Sequence, residues 1–123
     1  MDSLKDTVSL KSRKATKIAK KRLEIANKHL LTNSYDDFYN ELFKSINGYL
    51  SDKLNISIAD LSKEKIAETL QKKGADNAAI EFLIATLNKS EFARFAPSKN
   101  NAGMQNDYND TVATISKIEE ELK

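Results

Sequence analysis

The sequence predicts an all-α bundle of about five helices in a single domain. Three observations predict it. Apolar residues recur at spacings of three and four in five successive segments. Three Gly and one Pro in 123 residues leave little turn chemistry for a many-stranded sheet. Lys, Glu, Ala, Leu and Asn dominate the composition, which favours helix. The length allows one real core. With 40% hydrophobic and 31% charged residues, the chain reads as globular rather than disordered.

Residues 1–10 read as a disordered or artificially added start, and the first helix is expected over residues 11–31. Ala15, Ala19, Leu23, Ala26 and Leu30 share one face of it. Arg13, Lys14, Lys17, Lys20, Lys21 and Lys28 share the opposite face. The bundle proper is expected over residues 32–123. Asn33 or Ser34 is placed to cap a second helix, with Asp36 and Asp37 in its first turn, where the helix dipole favours anions. Tyr35, Phe38, Tyr39, Leu42, Phe43, Ile46, Tyr49 and Leu50 cover one broad face, and that helix is expected to end near Lys53.

The stretch Asn55 to Ser62 reads as a connector; Ile56 and Ile58 alternate like a short strand but have no partner strand. Ser62 is placed to cap a third helix, with Gly74 as its stop. Asp76 is placed to cap the fourth. Ile80, Leu83, Ile84 and Leu87 lie on one side of that helix and Ala78, Phe82, Ala85 and Phe92 on the other, so it is expected to be central in the bundle. Pro97 should end it, and a loop should follow. The fifth helix is expected from about Met104 to Leu122, with Met104, Tyr108, Val112, Ile115, Ile118 and Leu122 along one face.

Charge is unevenly spread. The net charge is +2, but the residues before Thr32 hold nine Lys/Arg and three Asp/Glu, against eleven and fifteen from Thr32 onward. A basic arm on a mildly acidic body speaks of partners rather than of fold. A cytoplasmic segment beside a membrane span carries such an excess, and clusters of basic residues attract anionic lipid. The arm interleaves no aromatics and no helix-turn-helix or RNA-binding signature appears, so nucleic acid ranks behind lipid.

Candidate chemistry is sparse. The absence of Cys excludes disulfides and thiolate metal sites. His29 is the only histidine and reads as a packing or surface residue rather than a metal ligand. Asn106 to Thr111 alternates Asp and Asn in a calcium-like way but lacks the Gly and the twelfth-position Glu of an EF-hand loop. No base stands beside a nucleophile, and no Gly-rich loop offers itself to a phosphate. No enzymatic activity, cofactor or metal is therefore expected. Glu91 and Arg94 fall three residues apart on one side of the fourth helix, a spacing that permits an ion pair. They are expected to form a structural clamp that pins the end of this helix to helix two or five, with Arg94 mostly buried against Glu91 or a carboxylate such as Asp52. The longest apolar run, Phe82 to Thr86, is far too short to span a membrane, and the first ten residues lack the apolar core of a signal peptide. The chain as written is expected to be soluble.

Five pieces of sequence occur in a set order: AKKRLEIANKHL, DDFYNELFKSINGYLSDKLNI, ADLSKEKIAETLQKKG, SEFARFAP and MQNDYNDTVATISKIEEELK. From about Ala15 to Lys123 the chain thereby resembles the C-terminal cytoplasmic domain of the BatD proteins, aerotolerance-related membrane proteins of Bacteroides-type bacteria. It departs from that pattern at Ser57, where Pro is frequent, and at Ser90, where Cys is frequent. The resemblance implies a single-span parent with extracytoplasmic β-sandwich-like modules. It places this domain on the cytoplasmic side of the inner membrane, with the basic helix beside the span. It also implies partners among other Bat-type membrane proteins, of von Willebrand A and tetratricopeptide type, and a non-enzymatic interaction role in oxygen or stress tolerance. The alternative, from the charge alone, is a basic-armed helical nucleic-acid-binding module.

Overall fold

The computed structural model describes the backbone over residues 3–95 and 103–122, with side chains from Lys14 onward. Five helices make up the described chain: α1 (Ser3–Leu31), α2 (Tyr35–Leu54), α3 (Lys63–Lys72), α4 (Asn77–Phe95) and α5 (Met104–Glu121). A short 3-10 turn, Ile58–Asp60, stands between α2 and α3, and no strand forms among the described residues. The all-α bundle is thus observed.

Helix α1 begins at Ser3, eight residues before the start expected at Lys11, and residues 1–2 lie outside the described residues. No Gly or Pro interrupts residues 3–31, so nothing in the sequence breaks the helix there. At about 1.5 Å rise per residue, α1 is about 44 Å long and α2 about 30 Å. The three-residue connection makes the two antiparallel, so the first turns of α1 run on past the end of α2.

Three helices end on the same device. Asn33 and Asn55 adopt left-handed backbone at φ 55°, and Gly74 does so at φ 88°. After α1, the amide of Asn33 donates to the Leu30 carbonyl (3.2 Å) and that of Ser34 to the His29 carbonyl (2.9 Å). After α3, Gly74 and Ala75 donate in the same pattern to Gln71 and Leu70, each at 3.0 Å. Ile56 repeats the longer bond to Ser51 after α2, again at 3.0 Å. These are Schellman caps, which satisfy the last carbonyls of a helix by a left-handed residue. Ile56 and Ala75, the residues just past two of these stops, are buried, as the motif favours. Asn33 therefore stops α1, while Ser34 takes the N-cap position of α2. The Ser34 hydroxyl meets the Thr32 hydroxyl at 2.9 Å instead of capping the backbone. Ser62 does cap α3, its Oγ accepting from the Lys65 amide at 3.1 Å.

Helix α2 is the centre of the molecule. It packs against α1, α3, α4 and α5. Phe38, Tyr39, Leu42, Ile46, Tyr49, Leu50 and Leu54 are buried along it. Phe43, expected on the same face, sits at the surface edge with 36% of its area exposed. Small side chains bring α1 close to α2: Ala15, Ala19 and Ala26 are at most 1% exposed.

The expectation that α4 is central fails. Its Ile80, Leu83 and Leu87 face the core, but Ala78 and Ala85 are exposed and Phe92 keeps 75% of its area in solvent. Among the described residues no helix covers the outer side of α4 at these positions. On α5 the buried stripe runs through Met104, Thr111, Thr114, Ile115 and Ile118, while Val112, expected inside, is 37% exposed. The described part of α4 stops at Phe95; the expected stop at Pro97 and most of the following loop lie outside the described residues.

Candidate interaction surfaces

The basic side of α1 forms as the periodicity requires. Ala15, Ala19, Leu23 and Ala26 turn inward, and Lys14, Lys17, Lys20, Lys21 and Lys28 are all exposed. The side chain of Arg13 lies outside the described residues. Glu24 is exposed among these lysines and lowers the net charge of the face. Lys20 differs from the others: with Thr16 it borders a hollow shared with Glu119 and Glu120 of α5. Two isoleucines edge the face, Ile18 at 45% and Ile25 at 43% exposed. The heptad spacing of these two was visible in the sequence, but their exposure depended on where α2 came to lie.

The end of α4 is pinned to its neighbours, though not by the expected pair. Glu91 meets Lys63 of α3 at 3.0 Å. Arg94 points to α2: its Nε donates to Asn40 Oδ1 at 3.3 Å, and its guanidinium lies 4.1 Å from the centre of the Phe43 ring and 5.1 Å from that of Phe95. Arg94 thus reaches helix two through Asn40 and Phe43, whereas Glu91 reaches α3 rather than helix two or five, and the expected Glu91–Arg94 ion pair and deep burial of Arg94 are corrected. Arg94 stays half-exposed because Phe43 sits at the edge of the core rather than inside it, so the planar cation stacks on an aromatic rim.

Polar groups between α2 and α5 are engaged in pairs. Tyr39 donates to Asp107 Oδ2 at 2.5 Å, and Tyr49 donates to Glu119, which also meets Lys53 Nζ at 2.8 Å. Burial, reinforced by the carboxylate each hydroxyl serves, pushes both phenols far above their ordinary value. Burial pushes the Glu119 carboxyl up, but the hydrogen bonds from Lys53 and Tyr49 outweigh it and hold this group below the usual carboxylate range. Tyr35 adds a bond to the Ala93 carbonyl of α4 at 2.7 Å. Lys89 of α4 meets Asp110 of α5 at 2.7 Å, and this partner raises the lysine's affinity for its proton.

The Asp/Asn run at the start of α5 is thus a set of fold contacts. Asp107 serves Tyr39, Asp110 serves Lys89, and Asn109 accepts from Gln105 one turn earlier at 3.0 Å. His29 is half-buried beside the α1 stop, where its backbone carbonyl takes the Ser34 amide. No cluster of three or more His, Asp or Glu able to hold a metal occurs among the described residues. No described helix is long and apolar enough to cross a membrane.

What the arrangement offers to other molecules is surface: a lysine face on α1, an uncovered apolar side of α4, and hollows along α2. No protein family, curated protein or solved structure matches the chain.

Proposed function

We propose that this chain is a non-enzymatic interaction domain: the cytoplasmic tail of a BatD-like membrane protein, working within an aerotolerance- or stress-related membrane complex. The observation that carries it is the lysine face of α1. Lys14, Lys17, Lys20, Lys21 and Lys28 all stand in solvent, on the helix whose first turns run past the end of α2. Such a face beside a span suits the anionic inner leaflet, at about 1 kcal/mol per basic residue near the surface. The ordered sequence pieces that resemble the BatD tail support the same assignment. The polar residues of α2 and α5 are occupied in holding helices together, which fits a scaffold rather than a catalyst.

The test is fractionation and cross-linking of the native gene product in its own cells. The expected result is a membrane-bound protein whose tail is protected from protease added outside the inner membrane. It should cross-link to the von Willebrand A-type and tetratricopeptide Bat proteins. Recovery in the soluble fraction without these partners, or preferred binding of duplex DNA over anionic vesicles at equal salt, overturns it.

A further inference from the structure

We propose that the groove over Gly48, between α1 and the Ile58–Asp60 turn, is a docking site for an acidic segment of a partner protein that carries a large apolar anchor. The groove encloses about 300 Å³ and is lined by Arg22 from α1, by Phe43, Lys44, Asn47 and Gly48 from α2, and by Ile58 and Leu61 beyond it.

Three independent features select the occupant. The first is charge. Arg22 and Lys44 both line the groove and no carboxylate does. Arg22 is only loosely engaged, with Nη1 3.4 Å from Glu41 Oε2 and 43% of its side chain exposed. Lys44 is exposed. Two cations without a carboxylate in the lining favour a negatively charged guest.

The second is apolar surface. Ile58 at the tip of the turn is 62% exposed, and Phe43 on the floor is 36% exposed. Ile18 and Ile25 lie four residues before and three after Arg22, so they flank it on the same edge of α1, and both are more than two-fifths exposed. Large side chains left in solvent around one hollow mark a contact surface more than scattered ones do. They also disfavour a nucleic-acid backbone, which has no use for an aliphatic rim.

The third is Gly48. It stands within α2, where Gly disfavours helix relative to Ala, yet its φ is not left-handed and an added Cβ meets nothing within 4 Å. No contact of the folded chain requires it. A glycine in the floor of a groove bares the helix backbone, so a guest can approach closely there. An acidic guest meets Arg22 and Lys44 at the rim while its anchor lies on Gly48 between Phe43 and Ile58. The inference rests on the chain being an interaction domain, but not on its membrane parentage. The lysines of the outer α1 face do not line the groove.

The test is selection of a displayed library of random 16-residue peptides on the folded domain. The best peptide is then synthesised and titrated by fluorescence anisotropy. The expected winners carry net negative charge and at least one large aliphatic or aromatic residue. Their affinity should fall tenfold or more in Gly48→Leu, and again in the double variant Lys44→Glu, Ile58→Ser. Gly48→Leu should fold with an unchanged or raised Tm, so lost binding is not lost folding. Gly48→Ala serves as a milder check, expected to raise Tm while weakening the peptide. Three results overturn the proposal: no enriched peptide, neutral or basic winners, or winners indifferent to both variants. A dimer in sedimentation that Gly48→Leu abolishes would assign the groove to a second copy instead. Failure here leaves the lysine face and the fractionation result standing, and failure of the fractionation leaves peptide binding at the groove standing.

Discussion

Tyr39 and Asp107, 68 positions apart, meet at 2.5 Å, with the phenol of α2 donating to the carboxylate of α5. The ring is 2% exposed and packs edge-on against Phe38, with centroids 4.9 Å apart. One side chain thus joins the apolar core to a polar seam between two helices. Tyr39→Phe keeps the ring and removes only the donor. It should cost about 1–2 kcal/mol, because a half-buried carboxylate loses its partner. Urea denaturation of the two proteins checks this, and an unchanged midpoint would show the bond to be dispensable.

Alkaline pH should unfold the protein through the same groups. Tyr39 and Tyr49 hold their protons far above the ordinary value of 10.0, whereas the unfolded chain releases them near it. Above about pH 10 the folded state binds more protons than the unfolded one, so stability falls as pH rises. Each tyrosine contributes a slope of up to about 1.4 kcal/mol per pH unit. In a stability series from pH 9 to 11.5, Tyr39→Phe and Tyr49→Phe should each fall less steeply than the wild type. Parallel curves would refute the assignment.

Acid works on the other partner. Burial pushes Glu119 up, but its polar partners, Lys53 and Tyr49 foremost, hold it below its ordinary value of 4.5. Its stabilising effect is fully present above the unfolded value and is lost as pH falls from there through the folded one. Glu119→Gln should therefore be less stable than wild type at pH 7, with the gap closing below pH 4. A gap that persists at pH 3 would point to lost packing rather than lost charge.

The sequence made the helices legible because their signals are local. Ser62 and Gly74 announced the ends of α3 by chemistry that acts within one turn. Asn55 uses the same chemistry after α2, one residue beyond the helix end observed at Leu54 and close to the end expected near Lys53. The polar part of the core was not legible. Thr86, Thr111 and Thr114 are at most 3% exposed, although their hydroxyls suggest a surface position. Thr86 and Thr111 donate to the carbonyls of Phe82 and Asp107 one turn back, and Thr114 donates to Thr86 at 3.2 Å, so burial leaves none of these three hydroxyls unpaired. Periodicity of apolar residues cannot see such positions, which is why Val112 was placed inside and Thr111 was not. The partners of Arg94 and Glu91 were hidden for a different reason. Both point at other helices, and sequence spacing speaks only for their own.

Those partners set a modest scale for Arg94. A guanidinium stacked on half-exposed rings, with one 3.3 Å bond to Asn40, is worth about 1 kcal/mol rather than the several expected of a buried ion pair. Arg94→Ala should lower stability by about that amount. Arg94→Lys should recover only part of it, because an ammonium cannot lie flat on Phe43 while donating to Asn40. A loss of 3 kcal/mol or more by denaturation would restore the buried-charge account.

The outer face of α1 should bind anionic membranes weakly and neutral ones not at all. Lys14, Lys17 and Lys21 lie in solvent and do not line the hollow that Lys20 borders with Glu119 and Glu120. Reversing Lys20 would bring like charges together, so the three others make the cleaner variant. Lys14→Glu, Lys17→Glu and Lys21→Glu together should abolish flotation with vesicles of anionic lipid and leave Tm nearly unchanged. Binding of the wild type should fall steeply with salt, because the attraction reaches about one Debye length, roughly 8 Å at physiological ionic strength. It should stay weak because Ile18 and Ile25 are the large apolar side chains at the edge of that face, and each is already more than half covered by the bundle. A triple variant that unfolds would mean that the face is packed, and one that still floats would move the membrane contact elsewhere on the domain.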